Sequence, residues 1–278
     1  MEILEQYNLL WVTGVVLSLI VTGIIAGLLA GLIGVGGGIV IVPVLYHLFT
    51  LLEINADIRM YLAVGTSLAT IIPTSIISAR SHYLRGSLDL PLLKSIGPSV
   101  FFGATLGGLA GSLLKSEFLN GVFAFIALFV AIDMTLRSKS NTIRATLPGG
   151  LGRTIIGTAI GSISSIMGIG GGTIGVPVLS AFNTPIHRAI GTASALGFVI
   201  GIPGAVGFLI TGIGVPDRLP GSIGYVNLVG FACIVPFTTK FAPVGARIAH
   251  NVNARKLKLG FSAFLIGTSA KMFMDLMN

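Results

Sequence analysis

Apolar residues fill long uninterrupted stretches of this chain, and charged residues occur in short clusters between them. From Glu5 to Glu53 the chain runs for 47 residues without Asp, Glu, Lys or Arg, whereas one helix needs only about 20 apolar residues to cross a bilayer. That stretch therefore predicts more than one crossing. The other uncharged stretches of spanning or nearly spanning length are Met60–Ala79, Ser95–Leu114, Phe118–Ile132, Thr154–Ile186, Ala189–Pro216 and Leu219–Thr239.

The composition supports a protein that lies in lipid. Hydrophobic residues make up 53% of the 278 residues and charged residues only 9%, which is too few charges to cover a soluble domain of this size. The net charge of +8 resides in clusters between apolar stretches, as expected for cytoplasmic loops that face anionic lipid. The sequence therefore predicts an all-α, polytopic protein, multi-pass in the inner (plasma) membrane, that does not bind nucleic acid.

The two halves of the chain carry the same glycine motif. Gly34-Val35-Gly36-Gly37-Gly38, followed by Pro43-Val44-Leu45, recurs 134 residues later (168 − 34) as Gly168-Ile169-Gly170-Gly171-Gly172, followed by Pro177-Val178-Leu179. Internal duplication of this kind is a recurring construction in transporters. The chain is therefore predicted to contain one structural unit used twice.

The match between the halves continues beyond the motif. Gly65-Thr66 matches Gly191-Thr192 at an offset of 126, and Gly107 matches Gly245 at an offset of 138. These offsets predict a first transmembrane repeat over 1–140, a basic connecting loop over 141–153 and a second repeat over 154–278.

Each repeat consists of a glycine-interrupted apolar segment, expected to form a broken helical hairpin, and three plain spans. In the first repeat, basic clusters around Arg80 and Arg137 follow the second and the last apolar segments. In the second repeat, the strongest cluster, Arg247 to Lys258, follows the third segment. Because Lys and Arg accumulate in cytoplasmic loops, this shift by one position predicts inverted repeats with an odd number of crossings.

The consecutive glycines Gly36-Gly37-Gly38 and Gly170-Gly171-Gly172 are the first candidates for a substrate site. Three glycines weaken a helix by about 1 kcal/mol each relative to alanine, and unwound backbone in lipid persists only where it is buried or lines a cavity. A helix beginning at Ile39 or Thr173 would direct unpaired N–H groups and its positive end at the break. The two breaks are therefore predicted to face each other near the midplane and to bind an anion without a charged side chain.

Close packing of helices is the alternative role for glycine in a membrane. Three consecutive glycines suit that role less well, because they cover the whole circumference of a helix. Glycines at four-residue steps lie on one helix face and suit packing; these are Gly23, Gly27 and Gly31, and Gly103, Gly107 and Gly111.

The doubled pattern G-x-G-G-G-x₄-P-V-L, followed in the two copies by Val64-Gly65-Thr66 and Ile190-Gly191-Thr192, resembles the TauE/SafE sulfite exporter family. The resemblance extends from about Gly14 to Gly267. It implies a carrier that moves sulfur-containing anions, such as sulfite, sulfoacetate or other organosulfonates, out of the cytoplasm. We expect alternating access at a site between the two breaks. A passive anion channel and a transporter of another small oxyanion are the alternatives.

Polar side chains complete the predicted binding site. Thr66, Ser67, Thr192 and Ser194 follow glycines in the two halves. Their hydroxyls can donate hydrogen bonds to sulfonate oxygens, or alternatively bond to their own backbone. Lys240 lies inside an apolar stretch, where a charge costs about 2.5–3.5 kcal/mol and usually has a function. We predict that it attracts the anion; the alternative is that it extends to the membrane surface.

The remaining polar residues predict no catalysis. His47 and His187 lie near span ends, where an interfacial position is the ordinary explanation and proton transfer the alternative. The chain has one cysteine, Cys233, and no His-x-x-His or Glu-x-x-His spacing. We therefore expect no enzyme activity, catalytic residue, metal site or cofactor. The expected partners are a small anion and the lipid bilayer; the oligomeric state stays open, with a homodimer as one option.

Overall fold

The structure is a computed structural model that describes residues 9–136, 146–216, 218–249 and 254–277. Within these ranges, five helices are long and apolar enough to cross a bilayer. Strands β1 (Ser222–Ile223) and β2 (Val226–Asn227) form an antiparallel pair, with Ser222 opposite Asn227. The helices are α1 (Leu9–Ile33), α2 (Gly38–Leu51), α3 (Ala56–Tyr83), α4 (Leu90–Gly111), α5 (Ser116–Leu136), α6 (Leu151–Ile166), α7 (Gly171–Ala181), α8 (Ile186–Thr211), α9 (Leu228–Ile248) and α10 (Ala254–Met277).

The prediction of an all-α polytopic membrane protein is confirmed. Helices α1–α5 form the first half and α6–α10 the second, and each half begins with a glycine-interrupted helix pair followed by three helices. Helix α6 begins at Leu151, inside the segment 141–153 predicted as a connecting loop. Residues 141–145 of that segment lie outside the described ranges.

The interruption between α1 and α2 has a backbone conformation that strongly favours glycine. Gly34, Gly36 and Gly37 have φ angles of +75°, +72° and +84°. This is the left-handed region, which glycine adopts at little cost because it has no Cβ. In the second half, Gly168 has a φ of +68°. The chain therefore leaves helical geometry at both copies of the motif.

Helices α3 and α8 pack against each other in opposite directions. Gly197 lies against Ser75 and Gly204 against Leu68. Residue numbers therefore increase along α8 as they decrease along α3, which is antiparallel packing. At the repeat offset of 126, Ile71 corresponds to Gly197, and a Cβ added to Gly197 would lie 3.6 Å from Ile71 Cγ2. The pseudo-two-fold axis therefore passes between the middles of these helices. An axis that relates antiparallel spans lies in the membrane plane, which confirms the inverted repeat.

The order of the helices accounts for the distribution of charge. With α1 and α2 counted as two arms of a hairpin, each half crosses the membrane five times. The α3–α4, α5–α6 and α9–α10 connections then lie on the same side, and Arg85, Arg153 and Arg247 lie in or beside them. The distribution of Lys and Arg predicts that this side is cytoplasmic. On this prediction, the C-terminal ends of α2 and α10 lie on the extracytoplasmic side.

The two halves are interlocked, since the first helix of each half packs along the fourth helix of the other. A Cβ added to Gly27 of α1 would lie 2.6 Å from the carbonyl oxygen of Thr238 of α9, and Gly161 of α6 lies against Val100 of α4. Glycine permits this approach because no side chain separates the backbones. The glycines predicted to pack helices all lie against a neighbouring helix: Gly23, Gly27, Gly31, Gly103, Gly107 and Gly111.

Candidate functional site

The two glycine breaks cross each other in the interior of the protein. A Cβ added to Gly36 would lie 3.1 Å from the Cα of Gly170, and all six glycines of the predicted site are buried. This backbone approach by itself requires glycine, whatever else the breaks do. The crossing is symmetric about the pseudo-two-fold axis, because the flanking contacts are Gly38 with Gly168 and Gly172 with Gly34.

The crossing lies at the level of the middle of α3. Gly36 is beside Ile71 and Ser75 of α3, close to the pseudo-two-fold axis. Gly31, at the end of α1, lies much farther along α3, where its carbonyl oxygen accepts a hydrogen bond of 2.8 Å from His82 Nε2. The chain therefore reaches the cytoplasmic end of α3 and returns to the midplane before α2 begins. This is the broken hairpin that the sequence predicts.

His82 of α3, which contacts this hairpin at Gly31, has a different counterpart in the second half. At the repeat offset of 126, His82 corresponds to Phe208. The ring of Phe208 is fully buried and packs against Gly111. A polar contact at the cytoplasmic end thus corresponds to an apolar contact at the extracytoplasmic end.

Two helices begin at the crossing. Helix α2 begins at Gly38 and α7 at Gly171, which confirms the predicted starts to within two residues. Within the described part of the chain, neither start has a side-chain cap. The first N–H groups of a helix have no intrahelical acceptor, and the helix dipole adds a partial positive charge there. The crossing therefore presents two sets of backbone donors in the interior of the protein.

Ser67 and Ser194 lie at the crossing; their contact with an anion stays a prediction. Ser67 Oγ donates a hydrogen bond of 2.7 Å to the carbonyl oxygen of Gly168 in the second break. Ser194 Oγ donates to the carbonyl oxygen of Ile190 at 3.0 Å, and it lies 3.1 Å from a Cβ built on Gly34. Each serine therefore lies beside the break of the opposite half.

Thr66 and Thr192 are buried but contact connecting segments and not the breaks. Thr66 Oγ1 accepts the backbone N–H of Asn227 at 2.8 Å, and Thr192 Oγ1 accepts that of Asp89 at 3.1 Å. Asn227 and Asp89 are themselves the side-chain caps of α9 and α4. The two threonines are thus equivalent anchors for the starts of two spans.

Lys240 does not lie at the crossing. Its side chain is exposed on α9, eight residues before the helix ends at Ile248, so it can extend toward the membrane surface. Attraction of the anion by Lys240 stays a prediction without support from its position. His187 is exposed near the start of α8, and His47 lies in the C-terminal half of α2, so both are also away from the crossing.

Ser75 belongs to the crossing and was missed by the sequence reasoning. Its hydroxyl is fully buried, lies 3.5 Å from a Cβ built on Gly36 and has no hydrogen-bond partner among the described residues. The signal that could have identified it is a row of polar residues at helical spacing on one face of α3. These residues are Ser67, Thr74, Ser75, Ser78 and His82.

The described residues form no cluster of metal-ligating side chains. Within residues 9–136, 146–216, 218–249 and 254–277, no three His, Cys, Asp or Glu side chains come together as a metal ion would require. The donors identified at the crossing are backbone N–H groups and hydroxyls.

Comparison with known proteins places the chain among membrane transporters. The family described as "Sulfite exporter TauE/SafE" matches residues 19–272. A "Probable membrane transporter protein" of Haemophilus influenzae is 35% identical over 262 residues, covering 93% of this chain and 98% of that protein. The probable membrane transporter protein YunE of Bacillus subtilis is 30% identical over 270 residues, with 89% and 93% covered. No solved structure matches the chain.

Proposed function

The chain belongs to the sulfite exporter TauE/SafE family, and from that premise we propose that it exports small sulfur-containing anions, such as sulfite, sulfoacetate and other organosulfonates. The coarser statement, that it is a multi-pass membrane transport protein, follows from the family and its relatives. The proposed binding site is the crossing of the two glycine breaks.

The observation that carries this proposal is the convergence of hydrogen-bond donors at the crossing. The starts of α2 and α7 and the buried hydroxyl of Ser75 meet near the axis. An anion at a helix N-terminus gains typically 0.3–1 kcal/mol, and up to about 2 kcal/mol in partly buried geometries. Sulfite and sulfonates present three oxygens, which suits several donors arranged around one point.

Export is favoured by the electrical potential of the membrane. An anion that leaves a cell with a negative interior gains about 2.3 kcal/mol per charge per 100 mV. A carrier that moves anions outward therefore needs no intramembrane carboxylate to bind a driving cation.

Alternating access would follow from movement of one half against the other around the crossing. The hairpin tip at Gly31 is held to α3 by His82 on the cytoplasmic side. Release of that contact would open the crossing inward, and separation around Phe208 would open it outward.

The direct test uses purified protein in liposomes loaded with labelled sulfite or sulfoacetate. We expect saturable efflux and counterflow above the level of empty vesicles, faster with a potential that draws anions out. If no oxyanion moves above empty vesicles, the proposal fails. A passive channel would instead give unitary currents without counterflow, and transport of other oxyanions but not of sulfonates would support the alternative substrate class.

A further inference from the structure

A cavity of about 360 Å³ lies between α2 and α10, away from the crossing. Pro43 and Val44 of α2 and Gly267 of α10 are among its apolar lining residues, and His47 and Lys271 are among its polar ones. The cavity is on the extracytoplasmic half of the protein. It borders the same helix whose first turn contributes to the proposed anion site.

Three ionisable groups meet at this cavity. Asp275 Oδ2 lies 3.7 Å from His47 Nδ1, and Asp275 Oδ1 lies 3.7 Å from Lys271 Nζ. The exposed fraction of the side chain is 24% for His47, 26% for Asp275 and 56% for Lys271. The single carboxylate therefore faces two groups that can carry positive charge, one on α2 and one on α10.

The position of His47 suits the neutral imidazole. With its proton on Nδ1, the ring faces Asp275, and Nε2 is left as an acceptor. Among the described residues, Nε2 is buried without a hydrogen-bond partner, so a proton added there would be a buried donor without an acceptor. Lys271 repels the resulting cation and already balances the charge of Asp275.

The other charged and titratable groups around α2 do not stabilise protonated His47. Tyr46 is stacked edge-on against His47 with ring centroids 5.5 Å apart. Arg59 of α3 lies over the Tyr46 ring at 5.7 Å, and α5, which contacts the Tyr46 hydroxyl through Asn120, carries Glu117 in its first turn. Helix α1 carries no charged residue within Leu9–Ile33.

We propose that His47 is an extracytoplasmic proton-binding site, and that protonation of its Nε2 drives α2 away from α10 and widens the cavity between them. The proton comes from extracytoplasmic water and returns to it, so no net proton crosses the membrane. Because α2 begins at the crossing, its displacement speeds release of the anion. The inference deepens the proposed export function and rests on it.

The transport test uses a sulfonate, because its charge does not change over the pH range of imidazole. Efflux from liposomes is measured while the pH on the extracytoplasmic side is lowered from about 7.5 to about 5.5. We expect efflux to rise by about fivefold to tenfold, as when two conformations differ about tenfold in proton affinity. His47→Gln should abolish the rise, and His187→Gln, at the opposite surface, should retain it.

Two further variants fix the direction of the electrostatic effect. Lys271→Gln removes a repulsive charge, so the midpoint of the pH response should move to higher pH. Asp275→Asn removes an attractive charge, so the midpoint should move to lower pH. Midpoints that do not move, or that move in the opposite directions, would overturn the proposal.

A stability measurement makes the inference testable even if no substrate is transported. If the folded protein binds the His47 proton less tightly than the unfolded chain, stability falls as pH falls through the imidazole range. The melting temperature of the wild-type protein should therefore drop more between about pH 7.5 and 5.5 than that of His47→Gln. Equal drops would contradict the inference, whereas absent transport with unequal drops would contradict only the proposed function.

Discussion

The backbone N–H of Asn227 donates a hydrogen bond of 2.8 Å to the hydroxyl oxygen of Thr66. Asn227 also caps α9, because its Oδ1 accepts the N–H of Gly230 at 2.8 Å. The hydroxyl of Thr66 in the first half thus fixes the start of a span in the second half. Its counterpart, Thr192, holds Asp89 at the start of α4 in the same way.

Replacement of Thr66 by valine should destabilise the protein. The buried N–H of Asn227 would lose its acceptor, at a cost of about 1–3 kcal/mol in the free energy of unfolding. Thr66→Ser keeps the acceptor and is the matched control. The melting temperature in one detergent checks both variants. Unchanged stability of Thr66→Val together with lost transport would instead indicate contact with the substrate.

Replacement of Gly170 by alanine should also destabilise the protein. Its Cβ would overlap the carbonyl oxygen of Val35 in the other break, and overpacking of this kind typically costs 1–3 kcal/mol. The control is Gly97→Ala in α4, where no atom lies within 4 Å of the added Cβ and helix propensity favours alanine by up to about 1 kcal/mol. Comparable melting temperatures of the two variants would show that the breaks do not cross closely.

Replacement of Ser75 by alanine should separate binding from stability. Because the hydroxyl is buried without a partner among the described residues, its removal should leave the anion-free protein no less stable. The rise in melting temperature produced by sulfite or a sulfonate should shrink, corresponding to about a tenfold loss of affinity. Ser95→Ala, at an exposed position, should behave like the wild type. An unchanged anion-induced rise in melting temperature would show that Ser75 is not part of the binding site.

Replacement of Lys240 by glutamine should leave anion affinity unchanged. The side chain is exposed on α9 and does not face the crossing. Concentration dependence of efflux and the anion-induced rise in melting temperature are the measurements. A loss of affinity of about tenfold or more, equivalent to about 1.4 kcal/mol, would restore Lys240 to the binding site.

The glycine motifs made the breaks and the inverted repeat predictable. At Gly36 and Gly37 the backbone has a positive φ, and Gly170 contacts the backbone of the other half. A positive φ strongly favours glycine, and the close backbone contact leaves no room for a Cβ, so the geometry leaves a direct trace in the sequence. The shift in basic clusters added the orientation, because Lys and Arg mark the cytoplasmic loops.

The roles of the hydroxyls were less predictable, because they depend on partners far along the chain. Thr66 and its partner Asn227 are separated by 161 residues, and Ser67 and Gly168 by 101. Nothing local distinguishes these hydroxyls from that of Ser75, which is left without a partner among the described residues. The direction of Lys240 depends on the rotation of α9 against α1 and α3, which hydropathy alone does not specify.

The pseudo-two-fold axis in the membrane plane exchanges the inside of the cell for the outside. If both halves had the same sequence, rotation about this axis would convert a conformation open inward into one open outward, and the two would have equal free energy. Any resting preference must therefore originate at positions where the halves differ, such as His82 and its counterpart Phe208. Differences between α3 and α8 thus contribute to the choice of the membrane face at which the empty carrier presents its site.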